Sequence, residues 1–456
     1  MKLTFCGAAK NVSGANYLLE SGKTKILIDC GLNQGSSFCE RRNYEPFLYE
    51  PKTIEAVLIT HAHLDHIGRL PKLYKEGFRG KIFSTPPTKD FSEELLIDSE
   101  HLLRREAEEK KLESIYDLED INKTMALWET IGYHQKLKIG PAVGGLEIEF
   151  YDAGHILGSA FIEIKDENGK SVVFSGDLGN TPAPLVKDTE TIKKADYVLI
   201  ESAYGGRIHE DNSKRRDLLE DVIEETVESN GVLMIPAFAM ERTQELLFEL
   251  DELVRNDRIP KAPIFIDSPL AIKLTSVYKK YSQNPDYFDN EALSLFKKGD
   301  AIFNFPGLRL SLTTEQSKEI NDVRPPKIII AGSGMSEGGR ILHHERRYLS
   351  DPKSAILFIG YQVNGSLGRR ILDGAKTVKI FREEIPVRCK IKAIGGYSAH
   401  ADQKQLLAWL KPMRLNLKKA FIVQGEESEM LPLSQKIKDE LAIETHIPSL
   451  GEEVML

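Results

Sequence analysis

Apolar residues early in the chain fall in short runs separated by turns, at 17–19, 25–29, 56–60, 81–83, 146–151, 160–164, 172–175 and 197–201. Runs of this length predict strands, whereas residues 92–113 and 118–133 place their apolar side chains at helical spacing. The mixture predicts an α/β sandwich. From about residue 206 the order changes to apolar strand, polar loop, then helix. Strands are predicted at 232–236, 263–267, 327–331, 355–361 and 377–381, with helices starting near Glu241, Pro269, Gly338 and Ser366. A parallel sheet with crossover helices reads this way. Near Pro386 short strands return, at 388–394 and 420–424, with a last helix from Asp402. No internal repeat or low-complexity linker intervenes. The middle segment therefore reads as an insertion, 206–385, between residues 1–205 and 386–456 of another domain.

The 456 residues are 41% hydrophobic and 29% charged, as in an ordinary globular protein, and no apolar run approaches the ~20 residues of a membrane span. The N-terminal residues lack the apolar segment of a signal peptide, so a cytoplasmic protein is expected. Cys6, Cys30, Cys39 and Cys389 have neither metal-finger nor disulfide-framework spacing and are expected as free thiols. A net charge of −8 argues against coating nucleic acid through a global positive field. A local basic groove is still open to the chain, since Arg340, Arg346, Arg347, Arg369 and Arg370 cluster late.

Residues 61–66 change the picture most: His61-Ala62-His63-Leu64-Asp65-His66 packs three imidazoles and a carboxylate into six positions. Nitrogen and carboxylate ligands are what Zn²⁺ takes when one position stays open for water, while closed structural sites lean on thiolates. His61 and His63 are two apart and can converge only from a loop, with Asp65 and His66 opening a helix through Gly68 to Tyr74. One cluster does not complete a binuclear centre. Two more candidates follow predicted strands, Gly154-His155-Ile156-Leu157-Gly158-Ser159 and Ser175-Gly176-Asp177-Leu178-Gly179, where flanking glycines let the backbone turn sharply beside an ion.

In this order the residues resemble the metallo-β-lactamase fold: Asp29 in Leu27-Ile28-Asp29-Cys30-Gly31, the His61–His66 cluster, His155 and Asp177. Glu201 in 200–205, the segment Gly360 to Arg370 and Tyr397-Ser398-Ala399-His400-Ala401-Asp402 resemble motifs A, B and C of the β-CASP nucleases, which include RNase J and the cleavage and polyadenylation nuclease subunit. The resemblance implies an αββα sandwich with an inserted β-CASP domain on a mainly parallel sheet. It implies two Zn²⁺, with His61, His63 and His155 on the first, Asp65, His66 and His400 on the second, Asp177 bridging, and Asp29 orienting the histidine loop. The activity implied is hydrolysis of RNA by a metal-bridging hydroxide, giving 5′-phosphate and 3′-hydroxyl ends, mainly at internal bonds. Asp65, Asp177, Glu201, Arg370 and His400 are the catalytic candidates.

His400 is the discriminating residue, because RNA-directed members of the family carry histidine at motif C and the Artemis-type DNA nucleases an aliphatic residue. His209 is its rival for the last ligand position. Motif B has Arg370 where eukaryotic processing nucleases have a histidine; arginine stabilises an oxyanion but is a poor general acid, and a pair with Glu201 framing the phosphate is expected. Gln424 replaces a histidine common in the late Val-His-Gly-Glu motif. Ser333, Gly334 and Met335, in Ala331-Gly332-Ser333-Gly334-Met335-Ser336, together with Ser366 and Arg370, are expected to hold substrate phosphate, the loop by its amides. Phe238-Ala239-Met240-Glu241-Arg242-Thr243 resembles another family signature, with Glu241 in place of glycine, and reads mainly as a helix start. Single-stranded RNA is the expected partner, membrane contact is not expected, and the sequence leaves a homodimer open. Alternatives are a 5′-exoribonuclease of RNase J type and an RNA-binding subunit with a weak site; a thioester or lactam hydrolase does not require so large an insertion.

Overall fold

The structure is a computed structural model describing residues 1–456 apart from 36, 142–143, 210–213, 298–301, 361 and 364; Tyr361 and Asn364 of the motif B segment thus lie outside the described residues. The chain divides into two compact units, Met1–Ile208 with His400–Leu456, and His209–Ala399.

The first unit holds two seven-stranded sheets. One runs from Glu453–Met455 through Lys2–Phe5, Tyr17–Ser21, Thr24–Ile28, Ala56–Leu58 and Lys81–Ser84 to Trp128–Thr130. The other runs from Thr445–His446 through Lys419–Ile422, Tyr197–Ile200, Ser171–Phe174, Ala160–Asp166 and Leu146–Asp152 to Lys136–Ile139. Alternation assigns each face. Ile162 and Ile164 meet Leu3, Phe5, Ile26 and Leu58 in a core between the sheets, while Phe161 points outward to join Leu406, Leu410, Met430 and Leu433 of the helices Gln403–Leu410 and Glu427–Leu441. The expected helix from Asp65 is two pieces, Leu64–Ile67 and Leu70–Lys75. Pro71 lies in the first turn of the second piece, and between them Arg69 turns inward to donate from Nε to Gly31 O at 2.5 Å.

Strand direction places the site. Leu146–Asp152 and Ser171–Phe174 both pair antiparallel with Ala160–Asp166 and so run the same way, as do Tyr197–Ile200 and Lys419–Ile422 by parallel pairing. Their C-terminal ends share one rim, and each opens into a loop carrying a candidate: His155, Asp177, Glu201 and Gln424. In the facing sheet, Thr24–Ile28 and Ala56–Leu58 are parallel and end before Asp29 and before Thr60-His61.

The second unit is built on a six-stranded parallel sheet in the order Leu308–Leu310, Ile264–Ile266, Lys327–Ala331, Val232–Pro236, Ala355–Phe358, Lys390–Ala393. Two sequence expectations differ here. Thr377–Ile380 pairs antiparallel with Glu383–Pro386 as a separate hairpin, because Phe381 and Arg382 both take positive φ, 49° and 69°, the geometry of a tight two-residue turn. The expected return at residue 386 falls early, since Lys390–Ala393 completes the inserted sheet and the unit extends to Ala399. Among the described residues no helix is long and apolar enough to cross a membrane, and the four cysteines form no disulfide.

Candidate metal centre

His63 caps the short helix Leu64–Ile67, so its φ/ψ of −61°/145° lets His61 and His63 converge from extended backbone as the spacing requires. Gly154 and Gly176, with φ of +64° and +52°, turn the His155 and Asp177 loops toward them. His61 Nε2 lies 3.0 Å from His63 Nδ1, His155 Nε2 lies 3.2 Å from His63 Nδ1, and Asp177 Oδ2 lies 3.4 Å from His61 Nε2 and 3.6 Å from His155 Nε2. Ligand bonds of ~2.0–2.1 Å in a tetrahedron imply ligand–ligand edges of roughly 3.3 Å, so these four atoms fit one ion. Burial pushes the imidazoles of His61, His63 and His155 below their usual pKa, those of His63 and His155 well below. They are held neutral, with lone pairs to give.

Asp177 uses its other oxygen on the far side. Oδ1 lies 3.3 Å from His66 Nε2 and accepts from Gln424 Nε2 at 2.7 Å. Burial opposes its charge, yet His66 and His61 outweigh burial and hold the carboxyl well below its usual range. The imidazole of His66 moves the opposite way: burial disfavours its proton, and Asp177, Asp29 and Asp65 overcome that and raise its pKa well above the usual value. Asp65 Oδ2 is 3.8 Å from His66 Nε2, and burial raises the Asp65 pKa.

Asp29 lies behind Thr60 and His66. Its Oδ1 accepts from the Thr60 amide at 2.8 Å, and its Oδ2 accepts from Thr60 Oγ1 at 2.8 Å and from His66 Nδ1 at 2.7 Å. That bond places the Nδ1 proton and turns Nε2 toward Asp177 and Asp65. Thr60 was not singled out by the sequence, although it touches Asp29, His61 and His66 together. Gln424 is likewise more than a substituted histidine, for its amide also lies 3.2 Å from His66 Nε2.

His400 joins this group. An antiparallel bridge to Gly179 and a bond from the Ala401 amide to Leu178 O at 2.8 Å bring it in, with Nδ1 3.4 Å from Glu201 Oε2 and 3.9 Å from Asp177 Oδ2. Asp177, Glu201 and His400 form a second set of ligand atoms, and His209 belongs to neither set. Glu201 is buried, accepts from the Leu178 amide with Oε1 at 2.6 Å and faces His400 with Oε2; Arg370, its expected partner, belongs to the other unit.

The phosphate candidates all lie in the second unit. Arg370 is exposed on the helix Leu367–Leu372. Ser366 Oγ caps that helix by accepting from the Arg369 amide at 3.1 Å, and Ser333 Oγ accepts from the Glu337 and Gly338 amides at 3.0 and 3.2 Å. Each hydroxyl keeps its own proton to donate. Glu241 has φ +63° at the start of Arg242–Arg255, which explains why glycine suits that position.

Comparison with known proteins agrees with this geometry. Residues 18–199 match the metallo-beta-lactamase superfamily domain, 243–371 the Beta-Casp domain, and 384–448 the Zn-dependent metallo-hydrolase RNA specificity domain. A protein named Ribonuclease TTHA0252 from Thermus thermophilus is 39% identical over 95% of both chains. The chain belongs to the β-CASP family of the metallo-β-lactamase superfamily. An RNase J-like protein of Methanocaldococcus jannaschii is 31% identical over 98% of both chains. Transcription termination factor FttA of Methanosarcina mazei, also 31% identical, matches all of this chain and 72% of its own length. A protein of unknown function from Enterococcus faecalis shares the fold at a TM-score of 0.55 and 12% identity, covering 100% of this chain and 99% of that one.

Proposed function

We propose that this chain is a zinc-dependent ribonuclease that hydrolyses single-stranded RNA at internal phosphodiester bonds, leaving 5′-phosphate and 3′-hydroxyl ends. The observation that carries this reading is the convergence of His61, His63, His155 and Asp177 at tetrahedral spacing, in a chain that matches an RNA specificity domain. His61, His63 and His155 would hold one Zn²⁺ and Asp65, His66 and His400 another, with Asp177 between them. A bound pair of such ions acidifies water and stabilises charge on a phosphoryl oxygen.

The chain's own groups keep that arrangement in register. Asp29 and Thr60 fix the His66 tautomer, Gln424 aims Asp177 Oδ1, and Glu201 holds His400 with Nδ1 toward Asp177. The Arg370 guanidinium, the hydroxyls of Ser333 and Ser366 and the amides of Gly334 and Met335 receive phosphates of the strand. Because arginine does not release its proton, the leaving 3′-oxygen takes one from water.

Incubating a defined single-stranded RNA and the matched DNA with the protein, with and without chelator, tests this. Internal RNA cuts that chelator stops and zinc restores, with DNA intact, are expected. Equal cutting of DNA would overturn the role given to His400, cutting only from the 5′ end would make the protein an exonuclease, and RNA bound but never cut would make it a binding subunit.

A further inference from the structure

Phe238 lies between the strand Val232–Pro236 and the helix Arg242–Arg255, and it is 41% exposed. One exposed phenylalanine needs no explanation by itself. Gly334 gives it significance. A Cβ on Gly334 would lie 2.6, 2.8 and 3.0 Å from Cδ2, Cε2 and Cγ of the Phe238 ring, so a side chain there would drive the ring away. Gly334 does not have the positive φ that would call for glycine. The ring, not the turn, is what asks for glycine at 334.

Both partners of this contact are held in place. The Ala237 amide donates to Ala331 O at 3.0 Å, and Thr243 Oγ1 donates to Phe238 O at 2.7 Å. On the loop, Gln362 Nε2 donates to Gly334 O at 3.0 Å and the Gly368 amide to Met335 O at 3.1 Å. The carbonyls of Gly334 and Met335 are thus engaged, whereas neither of their amides donates to another described residue. An exposed aromatic ring is fixed beside two consecutive amides that donate to no described residue, that of the buried Gly334 and that of the half-buried Met335, and a nucleotide offers both complements, a base with a π face and a phosphate.

We propose that Phe238 is a stacking platform for one base of the RNA strand, whose neighbouring phosphate rests on the Gly334 and Met335 amides. The proposal rests on the ribonuclease reading above and adds to it how the strand is gripped. Since every base has a π face, such a platform holds the strand without reading its sequence.

The test is equilibrium binding of short single-stranded RNA to the full chain in chelator, where no strand is cut. Phe238→Leu keeps an apolar contact with Gly334 but removes the aromatic face, and it is expected to weaken binding roughly tenfold, with Phe238→Tyr restoring it. An abasic residue moved along the RNA should cost the wild-type chain a similar factor at one position, to which Phe238→Leu is indifferent. Equal affinity of wild type and Phe238→Leu, or the same abasic losses in both, overturns the platform. If the wild type cuts and binds RNA while Phe238→Leu is unchanged, the platform alone falls; if the wild type binds no RNA, the ribonuclease reading falls with it.

Discussion

The rim of the sandwich and the Gly332–Ser336 loop of the inserted unit both present ligand groups, and they do so in opposite ways. At the rim the three carboxylates Asp29, Asp177 and Glu201 are buried with both oxygens engaged, Glu201 through Leu178 and His400. At the loop the carbonyls are engaged, the Gly334 and Met335 amides are not, and Phe238 and Arg370 are exposed. Buried, over-determined ligands suit a small cation that stays, because their geometry must hold to within about half an ångström. Half-open donors on a fixed scaffold suit a polymer that arrives, slides and leaves.

If that contrast is right, Asp177→Ala should have the largest effect. It removes the group facing His61, His155 and His66, and both metal content by elemental analysis and RNA cleavage should fall to background; retained metal would show that the histidines suffice. Asp29→Asn comes next, with metal affinity ~10–100-fold weaker by competition with a chelating indicator, since it disturbs the orientation of His66 without removing a ligand. An unchanged affinity would mean that the bond from His66 to Asp29 does not set the tautomer.

Acidity sharpens the same comparison. Asp177, Asp29 and Asp65 raise the pKa of His66 and so favour its proton, and metal and proton compete for one nitrogen. Metal affinity is therefore expected to rise with pH, by up to ~tenfold per unit below the raised pKa, and calorimetry in buffers of different ionisation enthalpy should record proton release. No release would mean that His66 is already neutral. The smallest effect belongs to the open region: Arg370→Ala should raise KM several-fold and shallow the salt dependence of binding by about one unit of slope, leaving metal content unchanged. A cleavage rate and KM like those of the wild type would remove Arg370 from the site.

The histidine cluster was legible because three imidazoles in six positions have no ordinary structural use, and the sandwich was legible because its strands are short apolar runs set apart by turns. The hairpin over Thr377–Ile380 was not, since its apolar residues look the same in a parallel sheet and in a two-stranded ribbon; the positive φ of Phe381 and Arg382 decided it. Glu201 was readable as a site residue but its immediate partners were not, because a carboxylate's hydrogen bonds depend on which loops meet it. Thr60 gave no signal, and Gln424 stood out only as a replacement for a family histidine, without a role. A threonine after a strand and a glutamine in a late loop are commonplace until folding places them beside Asp29 and Asp177.

The sequence alone determined which chemistry this protein carries, since ligand identity follows from side-chain type and from spacings that only a loop can satisfy. The tertiary structure decided which atom faces which: that His66 turns Nε2 inward, that Asp177 divides its two oxygens, and that Gly334 makes room for Phe238. Residue types are local, but these directions are set where parallel strands end on one rim and loops distant in sequence come within hydrogen-bonding distance.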